Sequence, residues 1–378
     1  MERLFFVAKM MQRRSWLKRS ALGTAAILSL PNTQWALASE EAIANGEIRL
    51  NANENPYGPS KQVRKALQSL SPLGNRYPWA LKQELKDKLA QQFDLSPDWF
   101  FLGAGSAELL GLLGQYYGRQ SDTVVSPAPI FPLLPQYVAR HGGDWQQVEM
   151  EPNGKISLSA ISQAISANTK LLYICNPNNP TGWTFSSKAL KSFCQAVPKH
   201  IDICIDEAYI EYTDEGEAAS VIELVEAHPN LIVCRTFSKI YGLAGMRIGY
   251  MIAHPDKIKV FRDYHTGFEL TVSASALRAA IVALDDQGFV AESRLRNQKA
   301  LAEMMRFCKK LQLPYILSQA NHLAFNPTSL DAPFFDRMEQ ASIRLGQFQY
   351  RGEDWCRLTM GTQAEMRTFQ EKLQGLTG

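Results

Sequence analysis

At 378 residues, with 46% hydrophobic and 20% charged residues, the chain is long enough for one large and one small globular domain. After residue 40 no apolar run approaches the ~20 residues that a bilayer-spanning helix needs. The formal charge of +3 is set by residues 1–38, which hold six basic side chains and one acid, Glu2; the rest is near −2 and offers no basic stripe to a nucleic acid.

Residues 12–18 read Gln-Arg-Arg-Ser-Trp-Leu-Lys. An apolar run over 21–30 follows, Pro31 ends it, and Ala36-Leu37-Ala38 supplies the small residues of a cleavage site. This order resembles a twin-arginine (Tat) export signal, with Gln12 and Trp16 where Ser or Thr and Phe are usual. The resemblance implies a signal peptide over 1–38, the Tat translocase as a transient partner, and a periplasmic protein. A basic tail on a cytoplasmic protein is the alternative, and the short apolar run disfavours an uncleaved anchor. The six cysteines show no CxxC spacing. They read as small buried hydrophobes that stay unpaired.

Beyond residue 75, apolar runs over 122–126, 145–150, 170–176, 201–206, 231–236 and 248–253 read as strands. Many are apolar on both faces, as strands covered on each side are. Amphipathic stretches between them (81–93, 107–117, 133–141, 187–196, 218–227) read as helices. Such alternation predicts an α/β sandwich with a largely parallel sheet. After residue 273 the pattern changes to a helical tract over 274–311, strand-like pieces at 324–326 and 355–359, and a helix over 363–373. The expected division is a segment at 39–70 joining a small domain, a large domain over 71–273, and a small α+β domain over 274–378.

The chemically informative residues lie at the ends of these strands, where open α/β sheets bind ligands. Residues 101–108, Phe-Leu-Gly-Ala-Gly-Ser-Ala-Glu, put two glycines before a helix start, whose free N–H groups favour an anion. The ending lacks the Gly-Lys-Ser/Thr of a P-loop. Cys175-Asn-Pro-Asn-Asn-Pro-Thr-Gly182 is a rigid, non-helical turn that presents Asn176 at a strand tip. Asp206 ends the next strand, with Tyr209 three residues on. A buried aspartate needs a cationic or donor partner, and no His or second carboxylate set with ligand spacing makes that partner a metal. In the 235–249 segment, Lys239 follows a buried strand among hydroxyls and glycines. Burial and cationic neighbours lower an amine's pKa and free it to form an imine. Arg247 can clamp a phosphate, and Thr236 and Ser238 add hydroxyl donors.

Taken in order with Asn51–Ser60 (NANENPYGPS), Arg76-Tyr-Pro and Arg357–Thr362, these motifs resemble the fold-type I pyridoxal-5'-phosphate (PLP) enzymes. Among those they are similar to class I/II aminotransferases of the histidinol-phosphate aminotransferase type, over about 48–373. The resemblance implies a large α/β/α domain around a mainly parallel seven-stranded sheet, plus a smaller α+β domain. It implies PLP held by Lys239 as a Schiff base, with Asp206 on the pyridine nitrogen and Asn176 and Tyr209 on the phenolic oxygen. Ser106, Ala107, Thr236, Ser238 and Arg247 would hold the phosphate, and Phe131 would stack on the ring. Tyr57 would reach the phosphate of the partner subunit in a homodimer. Arg357 would take the substrate carboxylate, with Asn179 and Arg344 also toward substrate. The implied reaction moves an amino group from a small-molecule donor to a 2-oxo acid acceptor.

Two features depart from that type. The arm ahead of the NENP segment is short once 1–38 are removed, and Leu134 stands where an aromatic is frequent. With export, these favour an ordinary amino acid, aromatic ones included, over histidinol phosphate. A PLP decarboxylase of the threonine-phosphate decarboxylase type is the rival reaction, and a catalytically silent binding protein the rival class.

Overall fold

The structure, a computed structural model, describes residues 46–70, 74–119, 121–265, 269–330 and 333–376. The signal read over 1–38 lies outside the described residues. After β1 (Ile48–Leu50) come seven strands: β2 (Phe100–Gly103), β3 (Thr123–Ala128), β4 (Asp144–Glu149), β5 (Thr169–Cys175), β6 (Asp202–Asp206), β7 (Leu231–Thr236) and β8 (Gly249–Ala253). They form one sheet in the order β2-β8-β7-β6-β5-β3-β4. Strands β4, β3, β5, β6 and β7 run parallel, while β8 is antiparallel to both β7 and β2.

Alternation along these strands builds two cores. Leu172, Ile174, Ile203, Ile205 and Val233 face one cluster, and Leu171, Tyr173, Cys204, Ile232 and Cys234 face the other. This is the period-two pattern expected of strands covered on both faces. All six cysteines are buried and unpaired. Register then places the site: Cys175 pairs with Asp206, and Asp206 with Cys234. The carboxyl ends of three central strands are therefore level, and the segments leaving them converge.

A five-stranded sheet in the order β1-β11-β12-β10-β9 completes the fold, from β9 (Tyr315–Ile316), β10 (His322–Phe325), β11 (Ile343–Tyr350) and β12 (Glu353–Thr359). The closing helix Gln363–Gln374 opens on a capping box between Thr362 and Glu365.

Two helices expected from sequence are different in the fold. Residues 218–227 form short 3-10 turns at Gly216–Ala219 and Ile222–Leu224. The buried Glu207 carboxylate accepts from Ser220 Oγ at 2.8 Å and from the Val221 amide at 2.9 Å, taking donors that a helix would have used. The tract over 274–311 is two helices, Ala274–Asp285 and Gln287–Lys310, parted at Asp286, whose side chain caps the second.

Candidate active site

Lys239 lies three residues beyond β7, half-buried. Its Nζ donates to the Ala52 carbonyl at 3.2 Å and stands 5.6 Å from the Tyr209 ring centroid. Burial first, then the Arg357 guanidinium, lowers its pKa to about 8. Asp206, at the tip of β6, is 2% exposed. It accepts the Ala208 amide at 3.1 Å, and burial raises its carboxyl to about 6.

Asn176 is held by its oxygen: Oδ1 accepts from the Phe185 amide at 3.0 Å and from Thr184 Oγ1 at 2.9 Å. The amide nitrogen is thereby fixed as the donor end. The Tyr209 hydroxyl accepts from Asn53 Nδ2 at 2.9 Å, and burial pushes its pKa up.

A second group of residues makes an anion cradle. The helix Ser106–Tyr116 begins with Ser106 and Ala107, after Gly105 at φ 82°. Thr236 Oγ1 donates to Ser238 Oγ at 2.9 Å. Arg247, itself at φ 55°, extends Nη2 to the Ala104 carbonyl at 3.2 Å and Nη1 to the Ala244 carbonyl at 2.8 Å. A Cβ at Gly105 would lie 2.4 Å from Arg247 Nη2, and one at Gly249 would lie 2.5 Å from the Ser106 amide nitrogen. Only bare backbone lets these segments approach so closely. Helix-start amides, two hydroxyls and a guanidinium are the donors that a phosphate dianion needs, so the residues fit PLP's phosphate. Lys239, whose amine loses its proton more readily than an ordinary lysine, fits its aldehyde.

Arg357 on β12 donates through Nη1 to Asn179 Oδ1 at 2.8 Å and through Nη2 to the Asn51 carbonyl. Gly346 faces it on β11, where a Cβ would come within 3.1 Å of Nε. Arg357 and Lys239 thus sit on the consecutive carbonyls of Asn51 and Ala52, with Asn179 against the arginine and Tyr209 against the lysine.

Three further residues of the expected set make other contacts within this chain. Arg344 pairs with Glu339 on the surface. Phe131 packs, half-buried, against the core around Tyr173, and its loop is tied to the Asn176 turn by Asn178 Nδ2 donating to the Pro129 carbonyl at 3.1 Å. The Tyr57 ring lies against the Arg296 guanidinium at 4.3 Å.

Sequence reasoning gave no role to several residues now in view. Asn53, at φ 53°, is locked between Tyr209 and Thr359. Asn321 Nδ2 donates to its carbonyl at 2.9 Å. His322 is fully buried, its ring centroid 5.1 Å from that of Tyr209. Burial, then Arg357 and Lys239, hold its pKa well below the usual imidazole range. Behind the site, Arg235 donates to Glu207 at 2.8 Å and to Glu217 at 2.7 Å. That pair did have a signal: Glu207 and Arg235 occupy adjacent strand ends beside Asp206 and Thr236.

Comparison with known proteins agrees with this geometry. Residues 45–373 match the aminotransferase class I and II family. Histidinol-phosphate aminotransferase of Symbiobacterium thermophilum is 34% identical over 334 residues, covering 88% of this chain and 91% of the relative. That of Lactiplantibacillus plantarum is 32% identical over 330 residues, 86% and 91%. The crystal structure of histidinol-phosphate aminotransferase from Sinorhizobium meliloti in complex with PLP superposes with a TM-score of 0.82 at 28% identity, covering 93% of this chain and 96% of that one. With the cradle and the lysine in place, the chain belongs to the class I and II aminotransferases, and its cofactor is pyridoxal 5'-phosphate.

Proposed function

We propose that the enzyme moves the amino group of an α-amino acid, aromatic ones included, to a 2-oxo acid, and that Arg357 grips both by the carboxylate. One observation carries this reading. Arg357 Nη2 and Lys239 Nζ are held on consecutive backbone carbonyls, those of Asn51 and Ala52, so a carboxylate on the guanidinium would bring its own Cα toward the amine. Asn179 and the Asn51 carbonyl fix the guanidinium plane, and a guanidinium held in plane suits a carboxylate.

PLP, when bound, supplies a carbonyl for the amino group and an electron sink. The chain's own residues do the rest. Ser106, Ala107, Thr236, Ser238 and Arg247 would hold the phosphate, and Asp206 would keep the pyridine nitrogen protonated. Asn176 and Tyr209 would fix the phenolic oxygen, and Phe131 would cover the ring. Lys239 Nζ, its pKa lowered to about 8, would take the proton from the substrate's Cα and deliver it to the cofactor's former carbonyl carbon, two bonds away across the nitrogen.

A second reading, histidinol phosphate as donor, is favoured by the names of the relatives above. Arg344 lies two residues from Gly346 on β11, on the sheet face that Arg357 shares. Exchanging Glu339 for a phosphate would bring it into use. Assay of the purified enzyme against amino acids and histidinol phosphate, each with several 2-oxo acids, separates the two. Turnover with histidinol phosphate alone sinks the amino-acid reading, and carbon dioxide release without acceptor consumption sinks transamination.

We infer further that the active form is a homodimer with Tyr57 serving the partner's cradle, and that residues 1–38 direct Tat export to the periplasm. The order of twin arginine, apolar run and small-residue site supports export. Retention in the cytoplasmic fraction of a cell expressing the full chain would refute it. In the same reading 71–273 binds the cofactor, while 39–70 and 274–378 supply the substrate pocket.

A further inference from the structure

We propose that the protein carries a second small-molecule site, separate from the cofactor cradle, that takes a small organic cation bearing a guanidinium or primary ammonium group. A cavity of about 370 Å³ lies between the helix Trp79–Phe93, the turn Ile210–Tyr212 and the helix Gln287–Lys310. It shares no lining residue with the cradle or the Arg357 pocket. Glu211 lines it, is only 4% exposed, and leaves its Oε2 without a hydrogen-bond partner. A buried acceptor left so is destabilising until a donor arrives.

Glu217 borders the same space with its side chain 47% exposed, one oxygen taken by Arg235. Of the cations in the lining, Lys88 pairs with Asp285, and Arg294 Nε donates to the Glu211 carbonyl rather than to its carboxylate. Glu211 Oε2 is therefore left to a donor from outside. Among the described residues no group of three or more His, Cys, Asp and Glu could hold a metal ion, so a divalent cation is a poor occupant. A guanidinium presents several N–H donors in a fork that two carboxylates can share, and an ammonium presents three.

Electrostatics support the same occupant. Burial pushes the Glu211 carboxyl up to about 8; Arg235 favours its charged form, while Glu217 and Glu207 oppose it. Tyr241 and Tyr250, both buried, feel its charge in turn. A cation entering the cavity would draw the proton off Glu211. Binding should therefore be weak while that carboxyl is protonated, and should strengthen as pH rises through its titration.

The test is calorimetric titration of the PLP-loaded full chain with methylguanidinium, which lacks the carboxylate that Arg357 would grip. The expected result is saturable binding at one site per chain, tighter by about tenfold at about pH 9 than at about pH 7. It should be lost in Glu211→Gln and weakened in Glu217→Gln. Absence of saturable binding, or unchanged binding in Glu211→Gln, overturns the proposal. If Glu211→Gln fails to fold, judged by melting and by visible absorbance of bound PLP, the half-exposed Glu217→Gln decides. Unchanged binding there overturns the proposal as well.

Discussion

Lys239 and Asp206 are displaced in opposite directions by one cause. Burial penalises each charge, so the amine falls to about 8 and the carboxyl rises to about 6. The lysine is thereby suited to exchange protons near neutrality. The aspartate is instead left poorly matched until a cation stands beside it. Its folded pKa exceeds its ordinary 3.8, so between those values the cofactor-free fold holds a proton that the unfolded chain has released. The stability this contributes is full below 3.8 and is lost as pH rises through about 6. A pyridinium on Asp206 would remove that loss. The gap in melting temperature between PLP-loaded and PLP-stripped protein should therefore widen from about pH 5 to about pH 7. Lys239, titrating higher, is nearly silent over that window. In Asp206→Asn the widening should vanish; an equal widening there would show that another group is responsible.

At the scale of elements, the site depends on a charge network beneath it. Arg235, 1% exposed, joins β7 to Glu207 at the end of β6 and to Glu217 on the following turn. Glu207→Ala would leave that guanidinium buried with one half-exposed partner, and should cost about 3–5 kcal/mol in urea unfolding. A loss below about 1 kcal/mol would mean that the network is energetically idle. The same network explains what the sequence could and could not tell. Strands β5, β6 and β7 were readable because they are apolar on both faces, and the motif residues at their tips followed from that. The 216–224 turns were not readable, because the group that unravels the expected helix is Glu207, more than ten residues earlier and buried. Asn53 was visible within its motif, but its hold on Tyr209 spans 156 residues and depends on a left-handed backbone that no local pattern marks. Strand β11 mixes polar and apolar residues because its exposure alternates irregularly, so its period is faint. Arg344 was legible only through the family resemblance, while its pairing with Glu339 depends on how the preceding helix packs.

At the scale of the whole molecule, the open question is whether one chain makes a complete site. The Tyr57 ring lies against Arg296 of the helix Gln287–Lys310, and its amide is pinned by Asn55 Oδ1 at 3.1 Å. In the homodimer proposed above, this tyrosine would serve the neighbouring subunit. If it completes the partner's cradle, the two defects in Lys239→Ala and Tyr57→Ala fall together in one site of a mixed dimer. One site of that dimer then carries both lesions, and the other carries an intact Lys239 with an intact Tyr57. Each variant alone should be inactive or nearly so at a PLP concentration that just saturates the unaltered enzyme. Mixed in equal amounts and allowed to exchange subunits, they should recover about a quarter of the unaltered activity per site, because half the dimers are mixed and each holds one good site. If Tyr57 acts within its own chain, the mixed dimer has one site lacking the lysine and one lacking the tyrosine, and mixing restores nothing. Activity assayed before and after exchange, with the mixed species isolated by two affinity tags, decides between these arrangements.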